Sequence, residues 1–238
     1  WLANAKNIHD GKRAFIIATG PSLNDLDLSK LKGEIAFGVN GTYMLDNVDL
    51  TYFAYVSNWW HKDHLEGIRN VRCQRRFLPV EYQEELESST PTSWYRKIIP
   101  PYHSHYGIRL PIPRGFSHHP ENYIHAGGTV IFVCLQLALY MGFKEVIIIG
   151  LDHSYAKSDG RKMPKSSTHL EVEGDDRSHF NKSYFRKGSS AHIDLNAMER
   201  GYTLADKAFR KEGKRIFNAS SRSELKVFRR VPFDELWK

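Results

Sequence analysis

Cysteine is scarce in this chain: Cys73 and Cys134 are the only two among 238 residues, and they lack C-x-x-C spacing. Neither a disulfide-stapled fold nor a cysteine zinc centre fits that count; Cys134, inside an apolar run, reads as a reduced core thiol, and the expected compartment is cytoplasmic. Long hydrophobic runs are missing too. The longest, Thr129 to Met141, is broken by Gln136 and falls short of the ~18 residues of a spanning helix. No signal peptide is visible, and a start at Trp1 instead of Met leads us to expect a processed or excised piece. Neither common phosphate fingerprint occurs, G-x-G-x-x-G or G-x-x-x-x-G-K-[ST]. Repeats and low-complexity tracts are absent. Lysines and arginines are interspersed with acids except near Arg222 to Arg230, and aromatics are scattered, so no nucleic-acid-binding stripe is expected.

What is present is an ordinary globular composition, 41% hydrophobic and 26% charged, with a formal net charge of +7 that suits an anionic ligand. Apolar runs at 13–18, 34–39 and 50–57 read as strands, and Lys144 to Gly150 is the clearest buried strand. Trp59 to Ile68, Ala126 to Met141 and Asn196 to Glu212 read as helices, the second apolar nearly all round, the third ended by Gly213 and followed by a strand from Arg215 to Ala219. This alternation predicts an α/β fold, a mostly parallel sheet with helices on both faces. Two stretches break the rhythm. Residues 88–123, with six prolines, predict an irregular ordered excursion, and the polar residues 154–190, following the best strand, predict a functional lid or else a disordered segment.

The sharpest local signal is the apolar run Phe15 to Ala18 stopping at Thr19-Gly20-Pro21-Ser22, a rigid turn at a strand's carboxyl end, where open α/β sheets hold ligands. Asn40, Ser57, Asn58, Gly150 and Asp152 stand at the corresponding ends of other strands. Asn40 and Asn58 suit ribose or base edges, and equally suit plain turn chemistry. Ala126-Gly127-Gly128-Thr129 opens the apolar helix with small residues that let an anion reach its N-terminus, or that simply pack closely. Most of the twelve histidines suggest nothing. His61 with His64, and His118 with His119, lack further ligands at zinc spacing, so no metal site is expected. His192 precedes the last long helix, with Asp194 two residues on as an orienting carboxylate or, alternatively, a helix cap.

G-P-S-L at 20–23, Asn40, A-G-G-T at 126–129, G-L-D at 150–152 and the late His192 together resemble the bacterial lipooligosaccharide sialyltransferases. The wider Rossmann-like superfamily to which the resemblance extends also holds motility-associated glycosyltransferases and hydroxymethylpterin diphosphokinases. In the sialyltransferases the first turn reads G-N-G-P-S-L and holds the cytidine nucleotide of a CMP-sugar; here Thr19 replaces the Asn. Asn40 matches an Asn that touches the nucleotide, and Ala126-Gly127-Gly128 stands where the family has T-S-G. The family's G-I-D-F-Y is echoed from Gly150 to Tyr155, which makes Tyr155 the residue assisting the departing phosphate. A second family tyrosine has no match, and Lys157, Arg161, Lys162 and Lys165 are candidates to neutralise phosphate in its place. The resemblance assigns the general base to His192, with His179 and His169 as alternatives.

The resemblance implies a Rossmann-like core at residues 1–153, the lid at 154–190, and the rest of the same core at 191–238. It implies transfer of a sialic-acid-like sugar from a CMP-sugar to a cell-surface glycan, without metal or cofactor. Partners would be the nucleotide sugar and a glycan acceptor, lipid-linked in one version, with the protein an oligomer or peripheral at the inner membrane face. The basic stretch Arg222 to Arg230 followed by Val231, Phe233, Leu236 and Trp237 suggests a surface-seeking end, or else a plain edge strand. The competing classes are a diphosphotransferase using ATP and magnesium bound by Asp152, and a nonenzymatic nucleotide-binding module.

Overall fold

The computed structural model describes residues 1–56, 61–98, 115–156, 160, 162–165 and 168–238. For His61 to Asp63, Thr168, His169, Ser190 and His192 it describes the backbone alone. The strands are β1 (Arg13–Ile17), β2 (Ala36–Val39), β3 (Leu50–Ala54), β4 (Cys73–Pro79), β5 (Thr92–Tyr95), β6 (Lys97–Ile98), β7 (Ile124–His125), β8 (Glu145–Ile149), β9 (Thr168–Glu171), β10 (Ser190–Ile193), β11 (Arg215–Asn218) and β12 (Arg229–Arg230). The α-helices are α1 (His61–Asn70), α2 (Gln83–Leu86), α3 (Val130–Tyr140) and α4 (Leu195–Lys211).

Eight strands form one sheet in the order β12-β11-β8-β1-β2-β3-β4-β5, and every pairing in it is parallel. Parallel sheets need cover on both faces, which is why β1 and β8, after Arg13 and Glu145, are apolar without alternation. Ala14, Ile16, Val146 and Ile148 turn to the face covered by α3 and α4. Phe15, Ile17, Ile147 and Ile149 turn to the other, against Leu31, Ile68 and Phe233. Full burial of such side chains stabilises by roughly 1.5–3 kcal/mol each. All residues of α3 are buried. Gln136 within it satisfies both ends of its amide, accepting from Ser117 N and His125 N and donating to the carbonyls of His125 and Phe132.

The chain runs outward from β1 through β5 and then returns to lay β8 on the other side of β1. The strand order therefore reverses between β1 and β8, and the crevice at their carboxyl ends is where such sheets bind ligands. In the lid, β9 and β10 pair antiparallel, and Leu170, Val172, Tyr184, Phe185, Ala191 and Ile193 gather in a small core of their own.

Several expectations need correction. Residues 88–123 are not an irregular excursion throughout: β5 extends the main sheet and β6 pairs with β7, while 99–114 lie outside the described residues. The helix expected from Ala126 begins at Val130, because Gly127 and Gly128 take φ of 58° and 78° and form a turn. Trp59 and Trp60 lie outside the described residues, and α1 runs from His61 to Asn70. The carboxyl-terminal apolar residues are not a surface-seeking end: Phe233 is buried, and Val231, Leu236 and Trp237 pack against the second core, with Trp237 stacked on Phe15 at 5.7 Å. Among the described residues no helix is long and apolar enough to cross a membrane.

Candidate active site

At the reversal point the first turn is welded to the end of β8. Gly20 N donates to Gly150 O at 2.8 Å, and a Cβ on Gly20 would stand 2.5 Å from that carbonyl and 2.8 Å from Asp152 Cγ. Only glycine fits so close an approach. Ser22 donates to both carboxylate oxygens of Asp152, from its N to Oδ2 at 2.9 Å and from its hydroxyl to Oδ1. Burial raises the pKa of Asp152, and the bonds from Ser22 oppose that shift.

A cavity of about 70 Å³ opens beside this weld, lined among others by Thr19, Gly20, Asn40, Thr129, Gly150, Asp152, His153, Tyr155, Ser178 and His179. No lysine or arginine lines it among the described residues. Asn40 and His153 sit at the ends of β2 and β8 with φ of 49° and 54°, a conformation that costs a non-glycine residue energy. Each also carries a buried polar atom without a partner among the described residues, Asn40 Oδ1 and His153 Nδ1. Strained backbone and unsatisfied polar atoms together mark a place shaped for something other than stability.

Ser154, Tyr155, Ser178 and His179 of the 154–190 segment wall this cavity. Phe180 N donates to Thr19 O at 2.8 Å, and Asn24 Nδ2 donates to Phe180 O at 2.8 Å. Next to Phe180, the imidazole of His179 is paired through Nδ1 with Asp176 Oδ2 at 2.8 Å, both side chains nearly wholly buried. His179 stacks face to face on Tyr184 at 3.8 Å and meets Tyr155 edge-on at 5.9 Å. Tyr184 in turn fills the notch left by Gly41, where a Cβ would come within 2.3 Å of its ring. Burial, with Asp176 and Asp152 adding to it, pushes the Tyr155 hydroxyl up to about 12, so it remains a hydrogen donor at neutral pH. The cavity is smaller than the ~300 Å³ of a typical small-ligand pocket.

The structure thus brings Thr19, Gly20, Asn40, Thr129, Gly150, Asp152 and Tyr155 to one cavity. It assigns other work to several further expected residues. Pro21 starts a 3-10 turn and Ser22 holds Asp152, and neither lines the cavity; nor do Ala126, Gly127 and Gly128, whose turn packs against Phe132. Ser57 and Asn58 lie outside the described residues, as do Lys157 and Arg161. Lys162 and Lys165 do not line the cavity and are paired with Glu224 and Glu199. The backbone of His192 pairs with His169 across β9 and β10, and their side chains lie outside the described part. Asp194 is the cap of α4, accepting from Ala197 N at 2.8 Å. The sequence reading missed Asp176 and His153. The first stands three residues before His179, a spacing visible in the sequence; the second depends on Glu199, 46 residues away.

No protein-family model and no curated protein matches the chain. Among solved structures, the MAf glycosyltransferase from Magnetospirillum magneticum AMB-1 is similar at a TM-score of 0.57 and 15% identity, over 99% of this chain and 38% of that one. The sialyltransferase CstII from Campylobacter jejuni, solved in complex with the substrate analogue cytidine-5'-monophosphate, is similar at a TM-score of 0.50 and 12% identity, over 93% of this chain and 85% of that one. This chain spans well under half the length of the first and most of the second. The likeness is one of fold, and by it the chain is an α/β protein of Rossmann-like architecture, built on the same plan as these two glycosyltransferases.

Proposed function

We propose that the chain is a glycosyltransferase that takes a sialic-acid-like sugar from a CMP-sugar and delivers it to a glycan hydroxyl without a metal. The observation that carries this reading is the lid histidine with its carboxylate, His179 and Asp176, over the crevice between β1 and β8 and in ring contact with Tyr155. In the transfer, the bond between the anomeric carbon and the phosphate oxygen breaks, and CMP departs with the electron pair. The acceptor oxygen forms the new glycosidic bond and its proton passes to an imidazole. CMP is already a fair leaving group, so the protein must supply hydrogen donors to the phosphate and a base. Tyr155 is suited to the first task. His179 is suited to the second, its Nδ1–H held by Asp176 as a base is held by its orienter; His192, at the far end of the lid, is the other candidate. The likeness in fold to a sialyltransferase solved with cytidine-5'-monophosphate supports the choice of nucleotide. The alternative that places magnesium on Asp152 would have to share a carboxylate whose two oxygens already accept from Ser22.

The test is incubation with CMP-N-acetylneuraminic acid and a panel of glycan acceptors in EDTA, with CMP and glycan product followed by mass spectrometry. Release of CMP coupled to a sialylated glycan supports the proposal. A protein that leaves every CMP-sugar intact but transfers diphosphate from ATP once magnesium is restored contradicts it.

A further inference from the structure

His153 is not needed for the chemistry just described, yet its setting is the least explained in the molecule. Its ring is almost completely enclosed, with 1% of the side chain exposed, on a residue with φ of 54° at the cavity wall. Nε2 lies 3.1 Å from Glu199 Oε1, and Glu199 is also bound by Lys165 Nζ at 2.9 Å. Tyr202 of α4 meets the ring edge-on at 5.9 Å. The charged groups that act on it are Glu199 of α4, Lys165 of the lid and Glu224 of the loop after β11.

These contacts fix the tautomer. Burial raises the pKa of Glu199, but the hydrogen bond and charge of Lys165 help bring it below its ordinary value, so it is an ionised acceptor, and the nitrogen facing it must carry the hydrogen. Burial, the largest influence, pulls the pKa of His153 below its ordinary value, which keeps the ring neutral. In that state Nδ1 is a bare acceptor, and among the described residues nothing donates to it. A buried acceptor left unmet is costly unless a ligand supplies the donor. Phosphate oxygens are acceptors themselves and cannot meet it. A hydroxyl can.

We propose that Nδ1 of His153 accepts a hydrogen bond from a hydroxyl of the bound ligand, so that this corner takes the polyhydroxylated part of a nucleotide sugar and turns its phosphate elsewhere. The proposal rests on the nucleotide-sugar reading for the identity of the ligand, while the state of the ring can be tested apart from it.

Two measurements decide it. In the ligand-free protein with nitrogen-15-labelled histidine, long-range proton–nitrogen spectra at pH 7.5 should show one ring protonated at Nε2 and bare at Nδ1 whose signals vanish in His153→Ala. An Nδ1–H tautomer or an imidazolium at that position overturns the proposal whatever binds. Calorimetric titration then compares CMP, 2',3'-dideoxy-CMP and CMP-N-acetylneuraminic acid. His153→Ala should lose roughly 5–150-fold in affinity, the range expected when a buried hydrogen-bonding group loses its partner. His153→Asn, which tolerates the same backbone and keeps an acceptor, should recover part of it. A loss seen with CMP but not with the dideoxy form assigns the hydroxyl to the ribose; a loss seen only with the sugar nucleotide assigns it to the sugar. Folded His153→Ala that binds all three probes as the parent does overturns the proposal. If the parent protein binds none of them, the cytidine reading falls, and the proposal for His153 stands or falls on the tautomer.

Discussion

At the scale of single residues, the account turns on which imidazole takes a proton. His179→Ala should lower turnover by roughly 10²–10⁴-fold, the usual contribution of a general base. CMP affinity should stay nearly unchanged, since the base serves the acceptor side. Tyr155→Phe should lower turnover more gently. Steady-state kinetics with His192→Ala alongside decides the matter: full turnover in His179→Ala and collapse in His192→Ala would move the base to β10. A second expectation at this scale follows from burial. His9, His125 and His153 all have pKa values held below 6.5 in the folded chain, chiefly by desolvation. Below pH 6.5 the unfolded chain therefore binds protons that the folded chain refuses, and stability must fall as pH drops through that window. Melting temperatures should decline between about pH 7.5 and 5.5. A flat or rising profile would mean that these rings are accessible to protons in the fold.

At the scale of elements, the lid is joined to the core by Tyr184 seated on Gly41, between His64 at 5.0 Å and His179 at 3.8 Å. Gly41→Ala puts a methyl group inside the tyrosine ring, an overpacking that costs roughly 1–3 kcal/mol. The lid should open before the sheet suffers. Hydrogen exchange should show residues 168–193 losing protection while β1 and β8 keep theirs; equal loss in both would mean that the lid is part of the main core. Nucleotide should raise protection in the same segment.

The sequence exposed the elements that carry their own pattern. β1 and β8 after their first residues, and α3 apart from Gln136, are apolar because they are buried on all sides, and α4 shows a clean amphipathic stripe with a capping Asp194. β4 was illegible because Gln74, Arg75 and Arg76 interrupt it. Arg76 is completely buried, and its guanidinium is satisfied by the carbonyls of Ile68 and Arg69 and the hydroxyl of Thr92. Partners at such distances leave no local trace. The same holds for the site: the Gly20 turn and Gly150 announce themselves locally, whereas the pairing of His153 with Glu199 exists only once α4 has docked.

At the scale of the whole molecule, β1, β2 and β8 end together at the reversal point, and every functional assignment above depends on a nucleotide entering there. The most direct measurement is a thermal shift titration of the intact protein with CMP in EDTA, set against ATP with magnesium. At a concentration of about 100 Kd a ligand stabilises by roughly 2.7 kcal/mol, which for a chain of this size is a rise of roughly 5–10 °C. The account predicts that rise with CMP and no metal. No response to CMP, with a rise of that size for ATP and magnesium, would contradict it.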